Sequence, residues 1–219
     1  MEKMGYTFPL NHLRLSTPGL SLHFPSDGEL SRLASRAQGR VLVPEEKHFM
    51  GDWTQLSPGE FELGFLQYQW ATRAKICPSS WSIQLGVVAE SEGELLGMVG
   101  INGENFPTTR LVDTGSWLLP EARGRGLGKK SRACLLELAF SHLGASQARS
   151  AAVVDNGPSL GVSSSLGYSP DGTALAISFG ERLEMQRLLL RAQDYKPQFP
   201  VEVEGVECLL PLLSLLPTP

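Results

Sequence analysis

A glycine-rich, basic turn at residues 123–132, which reads RGRGLGKKSR, restricts the fold of this chain more than any other segment. It stands between an apolar run at 111–119 that is typical of a strand and a helical pattern that ends near residue 143. Alternate glycines let a backbone turn with its N–H groups on one side and leave no Cβ atoms to obstruct a ligand. The helix N-terminus adds free N–H groups and the positive end of the helix dipole. The segment therefore predicts a strand, a turn and a helix that together bind a phosphate group.

Two common phosphate-binding loops do not match the spacing of this turn. A nucleoside-triphosphate loop needs a glycine directly before Lys-Ser, and Lys130-Ser131 follows Lys129 instead. A dinucleotide-binding turn needs G-x-G-x-x-G, whereas the three glycines of this turn are evenly spaced. A helix-capping turn with a solvated basic face is the remaining alternative. Five cations without an acid over ten residues favour the phosphate site over that alternative.

The composition excludes several classes of protein. With 42% hydrophobic and 19% charged residues among 219, the chain can bury a sizeable core. A formal net charge of -4 argues against a surface built to bind nucleic acid, which requires a basic face. Three widely spaced cysteines fit neither a zinc site nor a disulfide framework, so we expect no metal. The sequence contains neither an apolar stretch long enough for a membrane span nor a signal-peptide pattern, and we expect a cytoplasmic protein without a membrane partner.

Hydrophobic periodicity predicts the element order β-α-α-β-β-β-α-β-α-β-β, with no linker between domains. The predicted strands are 20–24, 81–90, 95–101, 111–119, 151–154, 174–179 and 184–190. The predicted helices are 29–37, a segment that follows Ser57-Pro58, the segment that ends near residue 143, and 158–166. Residues 194–219 hold five of the 15 prolines, and Val201–Val203 alternate there like an edge strand.

Three short motifs follow one another in the second half of the chain. Arg123, Gly126 and Gly128 match the R-x-x-G-x-G loop that binds the pyrophosphate of acetyl-CoA in the GNAT acetyltransferases. The segment 113–123, DTGSWLLPEAR, resembles the E-I-G-Y-W-L-x-P-E-x-R segment of their ribosomal-protein N-acetyltransferase (Rim-type) branch. Asn156 and Ser159, followed by the LGY of residues 166–168, resemble that branch's N-x-x-S…L-G-F/Y. The resemblance is clear from about residue 95 to 171, and the order of strands extends it from about 20 to 192.

The resemblance implies an α/β fold of the α+β type. One GNAT acetyltransferase domain, residues 1–193, would hold a central mixed, mostly antiparallel sheet flanked by helices. A Pro-rich extension, residues 194–219, would pack on this domain or on a partner subunit. Acetyl-CoA would lie in a V-shaped opening between the fourth and fifth strands, where Gly115 would allow a bulge.

The same resemblance implies which residues bind the cofactor. Main-chain groups at the end of the fourth strand would contact the pantetheine arm, the glycine-rich turn would bind the pyrophosphate, and Lys129, Lys130 or Arg132 would reach the adenosine 3′-phosphate. The cofactor-binding residues are Leu118, Leu119, Arg123, Gly124, Arg125, Gly126, Leu127, Gly128, Lys129, Asn156 and Ser159.

The implied reaction is direct transfer of the acetyl group to an amine in a ternary complex. A primary amine is mostly protonated at neutral pH, so a base must take its proton. Asp113 stands where the branch has a Glu and is the first candidate for this base, with Glu104 as the second. An N–H at the end of the fourth strand would stabilise the oxyanion. Ser163 aligns with a Tyr that protonates the leaving thiolate in many members, so Ser159, Ser163 or water would take that role.

The acceptor is a small-molecule amine or a protein N-terminus, and no nucleic acid is expected. Phe49, Trp53 and Trp70 are expected to line the acceptor pocket, as the corresponding region does in this family. A homodimer is left open. The alternative to an enzyme is a non-catalytic acyl-CoA-binding sensor or scaffold with the same fold. Asp113 discriminates between the two, because only catalysis requires a base.

Overall fold

The computed structural model describes residues 8–41, 56–178 and 180–215. The strands are β1 (Arg14–Thr17), β2 (Leu20–His23), β3 (Ser80–Ala89), β4 (Leu95–Glu104), β5 (Leu111–Leu118), β6 (Gln147–Val153), β7 (Ser169–Ser178), β8 (Glu181–Arg191) and β9 (Glu202–Glu204). The helices are α1 (Asp27–Ala37), α2 (Pro58–Ala74), α3 (Phe106–Thr109), α4 (Leu127–Glu137), α5 (Gly157–Ser165) and α6 (Val206–Leu212). A π-helical turn, Leu138–His142, continues α4.

The strands of the described ranges form one sheet in the order β7-β8-β6-β5-β4-β3-β2-β1-β9. Neighbouring strands are antiparallel at every position except between β5 and β6, which are parallel. This confirms the predicted α/β fold with a mixed, mostly antiparallel sheet.

Helices cover both faces of the sheet. On one face α1 and α2 pack Leu30, Phe61 and Phe65 against Met98 of β4. The other face carries α4, whose Leu135 and neighbouring apolar side chains belong to a larger core with β1 to β5. The start of α1 follows from its sequence: Ser26 accepts the backbone N–H of Glu29, and the Glu29 carboxylate accepts the backbone N–H of Ser26 at 2.8 Å.

The parallel pair β5–β6 opens after three residues. Residues 111–113 pair with 147–149, and the pairing ends there. β5 nevertheless stays paired with β4 up to Leu118, and β6 stays paired with β8 up to Val153. β5 and β6, which correspond to the fourth and fifth predicted strands, therefore separate inside the sheet. This confirms the predicted V-shaped opening. The predicted bulge at Gly115 is wrong, since the register between β4 and β5 is continuous.

Some elements differ from the sequence prediction. β1 was not predicted, because four residues flanked by loops give little periodic signal. β6 starts at Gln147, earlier than the predicted residue 151, because exposed polar residues alternate there with buried Ala148 and Ser150. β4 extends past the predicted residue 101 to Glu104, and the short helix α3 follows it.

The C-terminal extension packs on the domain itself. β9 pairs antiparallel with β1, which confirms the predicted edge strand. Leu209 of α6 and the following Leu213 are fully buried in the same core as α4. Gly205 has φ +73° and lies against His12, whose carbonyl oxygen an added Cβ would overlap, so only glycine fits there. None of the helices in the described ranges has both the length and the apolar character of a membrane span.

We expect Leu209→Ala to lower the free energy of unfolding by about 2–5 kcal/mol, because it removes a fully buried side chain from the core. Leu63→Ala, on the exposed side of α2, is the matched control and should change stability by no more than about 0.5 kcal/mol. Urea denaturation of both variants measures the difference. Equal, small effects would show that the extension contributes nothing to the core.

Candidate active site

The glycine-rich turn is held in place by Arg123. Its Nε donates to the carbonyl oxygen of Leu118 at 3.2 Å, and its Nη2 donates to the carbonyl oxygen of Val41. Gly124 and Gly126 have φ of +71° and +76°, a conformation that other residues adopt only with strain. The Gly126 carbonyl then accepts the N–H of Lys130 at 3.1 Å, which begins α4.

The backbone of this turn presents a set of free donors. Within the described residues, the N–H groups of residues 124–129 have no hydrogen-bond acceptor. Three of these groups belong to the first turn of α4, where the helix dipole adds positive potential. The arrangement suits an anion with several acceptor oxygens, such as a pyrophosphate.

The cations of the turn are mostly engaged elsewhere. Arg125 forms an ion pair with Glu92 at 2.6 Å. The Nζ of Lys130 donates to the carbonyl oxygen of Pro18 at 2.6 Å, and Arg132 lies in the interior with 3% of its surface exposed. Both Lys130 and Arg132 therefore make contacts within the protein. Lys129, with its Nζ 5.9 Å from the ring centre of Phe199, is half-buried beside the turn.

The predicted bases lie around one arginine. Asp113, the last β5 residue paired with β6, accepts two hydrogen bonds from Arg149, at 3.0 Å from Nε and 2.9 Å from Nη2. The hydrogen bond with Asp113 is the main cause that raises the pKa of Arg149, and the charges of Asp171 and Glu104 contribute. Both carboxylates named from the sequence, Asp113 and Glu104, therefore act on the same guanidinium at the closed end of the opening.

The end of β5 offers fewer main-chain groups than expected. The N–H of Leu119 donates to the carbonyl oxygen of Leu96 at 2.8 Å, and its carbonyl oxygen accepts the N–H of Ala122 at 2.9 Å. Its side chain is fully buried. Leu119 is thus a core residue whose N–H and carbonyl groups are both hydrogen-bonded within the protein. Leu118 is half-buried and would lie 3.7 Å from a Cβ added to Gly128, so it borders the glycine-rich turn.

The second motif begins α5 at the end of β6. The side chain of Asn156 accepts the N–H of Ser159 at 3.0 Å and caps the helix. The two residues lie beside the wide end of the opening, since α5 packs on α4 and β6. Ser163 lies deeper: it is fully buried, and its Oγ has no hydrogen-bond partner among the described residues.

The predicted acceptor pocket is only partly described. Phe49 and Trp53 lie outside the described residues. Trp70 is on α2 with 44% of its surface exposed, away from the helix face that buries Phe61 and Phe65. That buried face reaches β5 through Phe65, whose ring contacts Trp117 edge-on at 6.0 Å between centres. Asp113 and Trp117 share this face of β5, because they are an even number of residues apart.

A polar cluster beneath the opening was not predicted. It consists of side chains from α4, β5, β6 and the residue that precedes β7: Arg132, Thr114, Ser116, Ser150 and Tyr168. The hydroxyl of Thr114 donates its one hydrogen to the carbonyl oxygen of Arg149 at 3.1 Å. In the 3.0 Å contact between Thr114 and Tyr168, the Tyr168 hydroxyl is therefore the donor. Burial is the main cause that raises the pKa of Tyr168. The sequence contained one indication of this cluster: Arg132 stands three residues before Leu135 and so lies on the inward side of α4.

Solved structures share this fold. RimJ from Mycobacterium smegmatis, in complex with CoA-disulfide, matches with a TM-score of 0.68 at 14% identity, over 93% of this chain and 95% of that one. A protein designated a ribosomal-protein-serine acetyltransferase from Vibrio cholerae matches with 0.61 at 22% identity, over 81% and 97%. A chimera of spermidine N-acetyltransferase SpeG from Vibrio cholerae and hSSAT matches with 0.61 at 16% identity, over 81% and 98%.

The family is established by the sequence itself. Residues 30–169 match the family model described as the acetyltransferase (GNAT) domain. This range includes most of α1, the opening between β5 and β6, the glycine-rich turn and α5. The chain therefore belongs to the GNAT acetyltransferase family.

Proposed function

We propose that this protein is an N-acetyltransferase that moves the acetyl group of acetyl-CoA to a primary amine by direct attack in a ternary complex. One observation carries the proposal: the opening between β5 and β6 has free backbone donors at its wide end and a carboxylate at its closed end. A long, anionic thioester and an amine can meet between these two ends.

The cofactor would be held mainly by the backbone. The free N–H groups of residues 124–129 would bind the pyrophosphate, and the unpaired edges of β5 and β6 would accompany the pantetheine arm. Asn156 and Ser159 would contact that arm from the start of α5. The structure of RimJ with CoA-disulfide, which shares this fold, supports acetyl-CoA as the donor.

Asp113 is the proposed base. Its two carboxylate oxygens accept hydrogen bonds from Arg149, which hold the carboxylate in a fixed position beside the opening. Nearly half of the side chain is exposed, so a water molecule can relay the proton from the amine. The acidic residues around Arg149 also favour the approach of a cationic amine.

Direct attack is favoured over an acyl-enzyme. The cysteine on α4, Cys134, is fully buried, and burial raises its pKa to about 12, so the thiol remains protonated and inert. Ser163 is equally buried. No activated nucleophile is present among the residues described around the opening.

Substitution of Gly126 tests the cofactor site. We expect Gly126→Ala to raise the Kd for coenzyme A by about tenfold or more, because a methyl group would stand among the donors of the cradle. Gly180→Ala is the matched control: its φ is +71° against +76°, and an added Cβ has no neighbour within 4 Å at either site. Isothermal titration calorimetry measures both. An equal change in the two variants would contradict the proposed cradle.

Substitution of Asp113 tests catalysis. We expect Asp113→Asn to lower kcat by about 10²–10⁴-fold, since the amide cannot accept the proton, while the Kd for coenzyme A stays the same. Acetylated product is measured by mass spectrometry with a polyamine and with a peptide that has a free N-terminus. Glu104→Gln is the parallel variant, and a larger loss there would assign the base to Glu104. Tight binding of coenzyme A without turnover of any amine would favour the non-catalytic sensor.

A further inference from the structure

A buried arginine lies directly beneath the opening. Arg132 of α4 has 3% of its surface exposed. Its Nη1 donates to Ser150 at 3.0 Å and its Nη2 to Ser116 at 3.3 Å, while its Nε has no hydrogen-bond partner. No carboxylate of the described residues forms an ion pair with it. Among the described residues, the guanidinium of Arg132 therefore has hydroxyl partners and no paired carboxylate.

Such a cation is costly to keep. Burial of an ion without a partner costs several kcal/mol. Hydroxyl dipoles from Ser116 and Ser150 offset only part of that cost. Where negative charge develops during a reaction, a preoriented cation in a site shielded from water stabilises that charge strongly.

The position of the guanidinium indicates which charge it meets. Ser116 and Ser150 lie on β5 and β6 just beyond the last paired residues, Asp113 and Arg149. A thioester held by the glycine-rich turn must extend along the unpaired strand edges toward Asp113, and so passes over Arg132. In acyl transfer the negative charge of the leaving group develops on the sulfur.

We propose that Arg132 is a catalytic residue that stabilises the coenzyme A thiolate as it leaves; this inference rests on the proposed function. The amine nitrogen forms a bond to the carbonyl carbon, and the C–S bond breaks with its electron pair on sulfur. The proton of the amine passes to Asp113. The thiolate pairs with the guanidinium and takes a proton from water when the product is released.

The nearby hydroxyls do not replace this role. Ser163, which aligns with the Tyr that acts as an acid in many members, is buried. Tyr168 already donates to Thr114, and burial raises its pKa further above that of a thiol. Proton transfer from Tyr168 to the thiolate is therefore unfavourable. The charge of Arg132 is the remaining means of stabilising the thiolate among these groups.

The test measures the thiol of coenzyme A bound to the protein. Its titration is followed by the ultraviolet absorbance of the thiolate, and independently by the pH dependence of affinity for coenzyme A relative to desulfo-coenzyme A. We expect wild type to lower the thiol pKa by at least about one unit, which is a tenfold preference for the thiolate. Arg132→Met removes this shift and lowers kcat by about 10²-fold or more, while Arg132→Lys retains part of both.

A matched control separates charge from stability. Arg73→Met removes a largely buried arginine that is bonded to Asp27 and Pro25, outside the opening. It should leave the titration unchanged. If the role of Arg132 were only structural, its substitution would lower stability and leave the thiol pKa unchanged. The wild-type titration is decisive even if Arg132→Met does not fold, because an ordinary thiol pKa in wild type overturns the inference.

Two further results would also contradict it. A preference of wild type for succinyl-CoA over acetyl-CoA that Arg132→Met abolishes would assign the guanidinium to an acyl carboxylate instead. Coenzyme A that binds with an ordinary thiol pKa overturns this inference alone, whereas no binding of coenzyme A overturns the proposed function together with it.

Discussion

Backbone pairing between β5 and β6 ends after Asp113 and Arg149, and the rest of the site depends on this one interruption. Backbone N–H and C=O groups inside a sheet normally find partners, so an unpaired stretch is costly unless other groups occupy it. The outer neighbours, β4 and β8, hold each strand in register and keep the gap open. The gap is thus a part of the fold that is available to a ligand and is not a frayed edge.

Side chains link β5 and β6 on both faces of the sheet where their backbone pairing ends. On the face of α1 and α2, Asp113 and Arg149 join the strands at the last paired position. On the opposite face, Arg132 reaches from α4 to a serine on each strand. The positive charges near the opening therefore have different partners, and the glycine-rich turn presents mainly backbone donors.

The motifs were informative because they depend on local geometry. Gly124 and Gly126 require positive φ, and the capping of α5 by Asn156 needs a partner only three residues away. Such features can be recognised without knowledge of the distant chain, and the strand, turn and helix around them were predicted correctly. β1 and the first residues of β6 were missed, because short strands obtain their stability from neighbours remote in sequence.

The sequence by itself determined the order of the longer strands and helices, the glycine-rich turn and the family, since each depends on residue types at short spacing. Only the tertiary structure decided the use of the charged residues. Arg125 and Lys130 fasten the turn, Arg149 holds Asp113, and Arg132 enters the interior. The partner of a charged side chain depends on which groups the fold places near it. The run of cations in the sequence is compatible with any of these pairings, and the sheet decides which partners come together.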